Sequence, residues 1–300
     1  MTTGVANNVS ALRSGDWTLV LFGLISLFVI GFLIHLDTGT RSLSLLLIGA
    51  ALGGVFWAAQ FGFASGWRKL VARRDARPIL SHFLLLAIVT ILTLTTIDLT
   101  EARGSTAPIA FSLPIGAIMF GIGMQLANGC GSGTLFSLGG GSGRMIIVLP
   151  FFVAGSLIGS LILPSMLDWG SYNAVVIGNN LPLMPKILLN LLIIAIIAGL
   201  IFKWSGRNSL QLNLSTGMVV SVLVISILCW LCIMVAGHPW GITFGFTVWG
   251  GKIWQALGGD LSNAAFWTWA GPARALENSV LADVSSLMNI GMIFGALVVS

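Results

Sequence analysis

The strongest constraint in this sequence is a succession of long stretches almost free of charge. A helix needs about 20 mostly apolar residues to cross the hydrocarbon core of a bilayer. The run Trp17–Ile34 has no ionised side chain, and six further apolar runs lie near 42–63, 78–99, 108–126, 145–167, 187–202 and 214–236. Lipid offers backbone amides no water to bond, so each crossing segment must satisfy its own hydrogen bonds, and a helix does this internally. The pattern predicts an all-α, polytopic transmembrane helix bundle, read as one integral membrane domain over residues 1–300.

Composition removes the other classes. Only 8% of residues are charged, against about 25% in a soluble domain, which is too few to cover a water-facing surface. A hydrophobic content of 56% excludes a disordered chain. Three cysteines are too few for a disulfide scaffold. The segment before Trp17 is nearly neutral, with Arg13 and Asp16, and the run lacks a small-residue cleavage pattern after it, so it reads as a span and not a leader. The net charge of +5 sits in short loops, where it orients the chain in the bilayer and does not point to nucleic acid.

The loop after the second run carries Arg68, Lys69, Arg73, Arg74 and Arg77 against Asp75. The positive-inside rule places it in the cytoplasm, together with the N-terminus. If each run crosses once, Arg144, Lys203 and Arg207 fall inside as well, while Arg41, Arg103 and Lys186 fall outside.

Two stretches break the pattern. Residues 127–143 are uncharged but so rich in glycine that a stable helix is not expected there. Residues 237–259 hold His238, Pro239, Trp240, Lys252 and paired glycines. Irregular backbone at membrane depth persists where protein buries it or where it lines a wet cavity, so both stretches read as broken or re-entrant short helices. The last apolar run, Val284–Val299, is short for a span and has no polar tail, which suggests that the natural chain continues past Ser300.

Chemistry concentrates at Asn128-Gly129-Cys130-Gly131-Ser132-Gly133-Thr134. Glycines on both sides of Cys130 let other atoms approach the backbone, and successive free N–H groups form an anion-binding nest. A helix resuming after them adds positive potential. The thiol is a weak donor and a sulfur nucleophile. This set suits a small sulfur-containing anion, with Asn128, Gly129, Cys130, Gly131, Ser132 and Gly133 as substrate-binding candidates; small-residue packing between helices is the competing reading. Lys252 is an isolated cation in an apolar stretch, so it is either an anion attractor or a lysine snorkelling at a helix end. Cys229 and Cys232 have CxxC spacing without a nearby His or carboxylate, and read as packing residues. His35 and His82 lie near span ends and read as interface markers, and His238 as a loop residue. No phosphate loop, dinucleotide fingerprint or acid pair survives inspection, so neither an enzyme, a cofactor nor a metal is expected.

At these residues the sequence resembles the YeeE/YedE family of membrane proteins, known for thiosulfate uptake. The likeness rests on three segments: Phe120–Thr134 with the glycine-rich turn Gly139–Gly143, Gly62–Leu70, and His238–Thr243 continuing to Trp249–Ile253. The resemblance implies a bundle with an inverted internal repeat, in which short helices enter the membrane partway and cysteines pass thiosulfate inward through weak S–H hydrogen bonds. Only Cys130 matches a family cysteine; the early family cysteine falls at Gly62, and the later cysteine motif is absent before Ser300. The function expected is an inner-membrane permease for a small sulfur anion, thiosulfate first. The alternatives are a sulfur relay carrying a persulfide on Cys130 and a non-transporting membrane subunit. The basic loop Arg68–Arg77 is either a topology signal or the dock for a small soluble sulfur-carrier protein.

Overall fold

The computed structural model describes residues 17–206 and 214–300. Arg13, Asp16 and Arg207, which bear on orientation, lie outside the described residues. Among the described residues, seven segments are long and apolar enough to cross a membrane. Five are single helices: α1 (Trp17–Thr38), α4 (Arg77–Leu99), α7 (Gly143–Asp168), α8 (Leu183–Ser205) and α9 (Thr216–Ala236). Two are broken. One divides into α2 (Thr40–Ala59) and α3 (Phe63–Arg73), the other into α5 (Leu113–Ala127) and α6 (Gly131–Gly139). Three shorter helices complete the chain: α10 (Ile242–Ala256), α11 (Ala270–Glu277) and α12 (Val284–Val299).

The bundle is assembled on the pair α2–α12. Gly49 and Gly53 on α2 face the backbone of Met288 and Met292, while Gly291 and Gly295 on α12 face the backbone of Leu46 and Ala50. The paired residue numbers rise together, so the two helices run parallel. A methyl group at Gly53 or Gly295 would overlap the facing carbonyl. Lipid tails are as apolar as leucine, so helices in a bilayer associate through close packing, and small residues four apart permit it. Leu46, Leu52, Met288 and Met292 are fully buried beside this seam. Around it, α9 packs on α2 and α4, α4 on α8, α7 on α10, and α1 and α6 on α12.

Polar contacts fix the two ends of the bundle. Arg41 donates to the carbonyls of Val235 and Ala236 at 3.0 and 2.8 Å, and the Arg103 amide donates to Gly237 at 2.9 Å. Arg41 and Arg103, which the charge pattern grouped on one side of the bilayer, therefore share one end. Trp230 Nε1 donates to Thr96 Oγ1 near the same end, at 2.8 Å. At the opposite end of α4, Arg74 lies 3.9 Å above the Trp204 ring and donates to its carbonyl at 3.1 Å.

The structure differs from the sequence expectation at several points: the second run breaks at 60–62, and the segment holding Arg68, Lys69 and Arg73, read as a loop, is the helix α3. Residues before Leu113 do not extend the fourth span to Pro108; Ile109–Ala110 instead pairs antiparallel with Ser171–Tyr172, and the helix starts with Pro114 in its first turn, where a missing N–H does no harm. The glycine content of residues 127–143 predicts no stable helix, yet Gly131–Gly139 forms α6. Each glycine costs a helix about 1 kcal/mol relative to alanine, but tertiary packing overrides this. Leu135 and Phe136 are buried, Gly139 abuts the Ile293 carbonyl, and Gly140 abuts the Trp57 ring. The break expected in this stretch survives on either side of α6, at 128–130 and 140–142.

Residues 237–259 also resolve into a helix, α10, tied to α12 by buried polar groups. Fully buried Asn289 accepts from Trp240 Nε1 at 3.1 Å and donates to the Ile242 carbonyl at 2.9 Å. Trp249 Nε1 donates to Ser286 Oγ at 2.9 Å. Each indole and amide thus has a partner, which burial at this depth demands.

Candidate functional site

The two broken spans turn in the same way. Helix α2 ends on Gln60 and α5 ends on Asn128, both in the left-handed region, with φ of 49° and 63°. Two residues later, Gly62 and Cys130 are the extended residues that open α3 and α6. Neither short helix has a side-chain cap at this position, so the first-turn amides of both lack an intrahelical acceptor. The two turns face each other across one cavity of about 120 Å³. Gln60, Gly62, Phe63, Ala64 and Ser65 form one wall, and Asn128, Gly129, Cys130 and Gly133 form the other, with Phe136 and Ser137 behind. Such a space has room for a few waters or one small anion.

Two helix N-termini converging on one polar cavity give it positive potential without a charged side chain on its walls. Cys130 is half-buried, and its Sγ lies 3.3 Å from Ser132 Oγ. Gly129 is closely packed here: a Cβ would come within 3.3 Å of the Thr134 amide nitrogen. Beneath it, the fully buried Thr134 hydroxyl has no hydrogen-bond partner among the described residues. Ser65 Oγ is turned inward on its own helix and donates to the Gly62 carbonyl at 2.8 Å. The cavity lining therefore offers uncapped amides, the Cys130 thiol and the hydroxyls of Ser65 and Ser137.

Two arginines lie beside the cavity without lining it. Arg68, one turn along α3 from Ala64, donates to Asn128 Oδ1 at 2.6 Å and to Gln125 Oε1 at 3.4 Å. Gln125 in turn donates to the Ala64 carbonyl at 3.4 Å. Arg144 donates to the carbonyl of Leu126 at the end of α5. Just outside the spans, the Arg77 guanidinium bonded to Asp75 holds that carboxyl below its ordinary range.

The sequence candidates separate on this frame. Asn128, Gly129, Cys130 and Gly133 line one cavity; Ser132 touches it through its contact with Cys130, while Gly131 is buried against Ile242 and Phe246. Lys252 is not among the lining residues: its ammonium donates to the Leu276 carbonyl and fastens α10 to α11. Cys232 is buried, with Sγ 3.2 Å from Met288 Sδ, and belongs to the core as its surroundings suggested. His82 is not a simple interface marker, for its ring stacks on Phe61 with centroids 4.2 Å apart, directly behind the first turn. Reading the residues alone missed Gln60, Gly62 and Ser65 as a wall. The available signal was the matching interval between a helix-ending amide residue and a helix-opening residue, Gln60 to Gly62 and Asn128 to Cys130.

Among the described residues no group of His, Cys, Asp and Glu is arranged to hold a metal ion. No individually curated protein matches the chain. A family model described as sulphur transport matches residues 58–300, a range that takes in both turns, the whole cavity and the α12 half of the central seam. With the seven spans already described, the chain is a multi-pass membrane protein that belongs to the sulphur transport family, YeeE/YedE, and it transports sulfur compounds.

Proposed function

We propose that the chain is an inner-membrane permease that carries thiosulfate, with Cys130 in contact with the terminal sulfur and the first-turn amides of α3 and α6 in contact with the oxygens. The observation that carries this reading is the placement of one thiol between two uncapped helix N-termini in a cavity of about 120 Å³. Thiosulfate has a soft sulfur at one end and three oxygens sharing negative charge at the other. A thiol and a set of amides match those ends separately. None of the contacts is an ion pair, and a permeating anion must be held weakly enough to leave. Lys252 contributes only long-range charge in this reading, because the Leu276 carbonyl holds its ammonium. The N-terminus and the basic segment Arg68–Arg77 face the cytoplasm.

The test is uptake of sulfur-labelled thiosulfate by cells lacking their own importers, at matched expression of wild type and Cys130→Ala. Uptake by the wild type that falls at least tenfold in the variant is expected, a loss on the order of 1.4 kcal/mol. Wild-type expression without uptake would remove thiosulfate as the cargo, and equal uptake by both would remove Cys130 from the path.

A further inference from the structure

We infer that Arg68 is an oxyanion-recognising subsite at the mouth of the Cys130 cavity, and that an arriving oxyanion displaces the Asn128 side chain from it. The inference rests on the anion reading of the cavity and adds the residue that takes the anion over from the thiol at the cytoplasmic mouth.

Three observations carry it. Arg68 is exposed and sits beside the mouth, since its partner Asn128 and its neighbour Ala64 both line the cavity. Its guanidinium is bonded to two neutral amide oxygens, Asn128 Oδ1 and Gln125 Oε1, and among the described residues no carboxylate pairs with it. The contact it makes is also the side-chain link between α3 and α5, the two elements that frame the opening.

A guanidinium presents parallel N–H donors in a fixed fork that fits two oxygens of one oxyanion. A hydrogen bond to an ionised acceptor is roughly twice as strong as one to a neutral amide. An oxyanion at the mouth therefore outcompetes Asn128 Oδ1, and the exchange removes one of the side-chain links between α3 and α5 and leaves the Gln125–Ala64 link in place. Arg144, held on the Leu126 carbonyl at the same end of α5, adds a second positive charge to the approach. A lysine in place of Arg68 would keep the charge and lose the fork.

The latch gives the test its sign. If Arg68 binds the anion, the amide oxygens that hold it compete with the substrate; if Arg68 is only a strut, they are its equal partners. Gln125→Ala removes one competing oxygen at a residue outside the cavity lining. Purified wild type, Arg68→Gln, Arg68→Lys and Gln125→Ala would be titrated with thiosulfate, sulfite and sulfate by calorimetry, with melting temperature measured alongside. Arg68→Gln should raise the dissociation constant about tenfold, as expected for loss of one charged hydrogen bond. Arg68→Lys should be intermediate, and Gln125→Ala should bind as tightly as wild type or tighter. Equal weakening by Arg68→Gln and Gln125→Ala would make Arg68 a strut and overturn the inference. So would full retention of affinity in Arg68→Lys, or binding of none of the three anions by the wild type. Binding of sulfite or sulfate but not thiosulfate, still lost in Arg68→Gln, would sink the thiosulfate reading and leave the Arg68 subsite standing.

Discussion

The turn at Gln60–Ser65 and the turn at Asn128–Gly133 are the same backbone device carrying different chemistry. Each ends a membrane helix on a left-handed residue, extends the next positions, and opens a short helix toward the shared cavity. At the helix-opening position one has Gly62 and the other Cys130; between them and the left-handed residue one has Phe61 and the other Gly129. Phe61 is buried and stacks on His82, so the first turn is braced by rings. Gly129 has no side chain, so the second turn brings its backbone against Thr134. In the thiosulfate reading proposed above, the difference separates two requirements: presenting helix amides to an anion needs only the backbone device, whereas engaging its sulfur needs the thiol, which one turn carries and its counterpart lacks.

The comparison breaks most visibly at the thiol. Cys130→Ala is expected to abolish most thiosulfate uptake while leaving melting temperature unchanged, whereas Gly62→Ala should leave uptake within about twofold, since a factor of two is only a few tenths of a kcal/mol. A comparable loss in both would mean that amides, and not sulfur, dominate recognition. Next in size are the left-handed residues. Val in place of Gln60 or of Asn128 should each destabilise by about 1–2 kcal/mol, because a β-branched residue is strained at positive φ. The loss would be read as lowered melting temperature in detergent, and a tolerant Gln60→Val would show that the first turn is not held in this conformation.

A smaller effect is expected from restoring symmetry. Gly62→Cys places a second thiol at the equivalent position, where the nearest obstacle to a Cβ is Ser65 Oγ at 3.0 Å, a side chain able to rotate. The variant should express normally, and alkylation with subsequent mass analysis should find both positions modified from the aqueous phase. Modification at Cys130 alone would mean that the two turns do not share one accessible space. The smallest effect concerns the segment after each short helix: α3 leads to the Asp75–Arg77 pair, and α6 leads to glycines. The pair lowers the Asp75 carboxyl below its ordinary range. Its contribution is therefore complete at pH values above about 4 and is lost as pH falls through the lowered value. Asp75→Asn should lower stability at pH 7 by less than about 1 kcal/mol, because the pair is partly solvated. The difference from wild type should disappear in acid, and one that persisted at pH 2 would assign the effect to something other than the ion pair.

The spans were legible in the sequence because membrane burial imposes composition directly: Trp17, Arg77 and Ala236 lie at or within a residue of boundaries that hydropathy alone suggested. The breaks were half legible. Asn128 to Gly133 announced itself through glycine, but α6 depends on what presses on Gly131 and Gly139, namely Phe246 and the Ile293 carbonyl, and residues more than a hundred positions away leave no local trace. The cavity was legible from the residues on the Cys130 side, whereas on the Gly62 side only the family resemblance pointed to it, because Gln60 adopts the left-handed conformation without being a residue that favours it. Lys252 shows a different limit: its type and isolation suggested a role with anions, while its partner is a carbonyl of α11 that only the tertiary path brings near.

The glycine seam between α2 and α12 has a mechanical consequence. Where backbones touch, no side chain remains to change rotamer and absorb displacement, so sliding one helix along the other would drive carbonyl oxygens into Cα atoms. The two helices therefore move as one rail. The first turn grows from the end of that rail at Ala59, while α6 rests on its other member at Ile293 and Ala296. The parts not welded to that rail are the cavity-facing arm of α3 and the end of α5, whose meeting point is the Arg68–Asn128 contact.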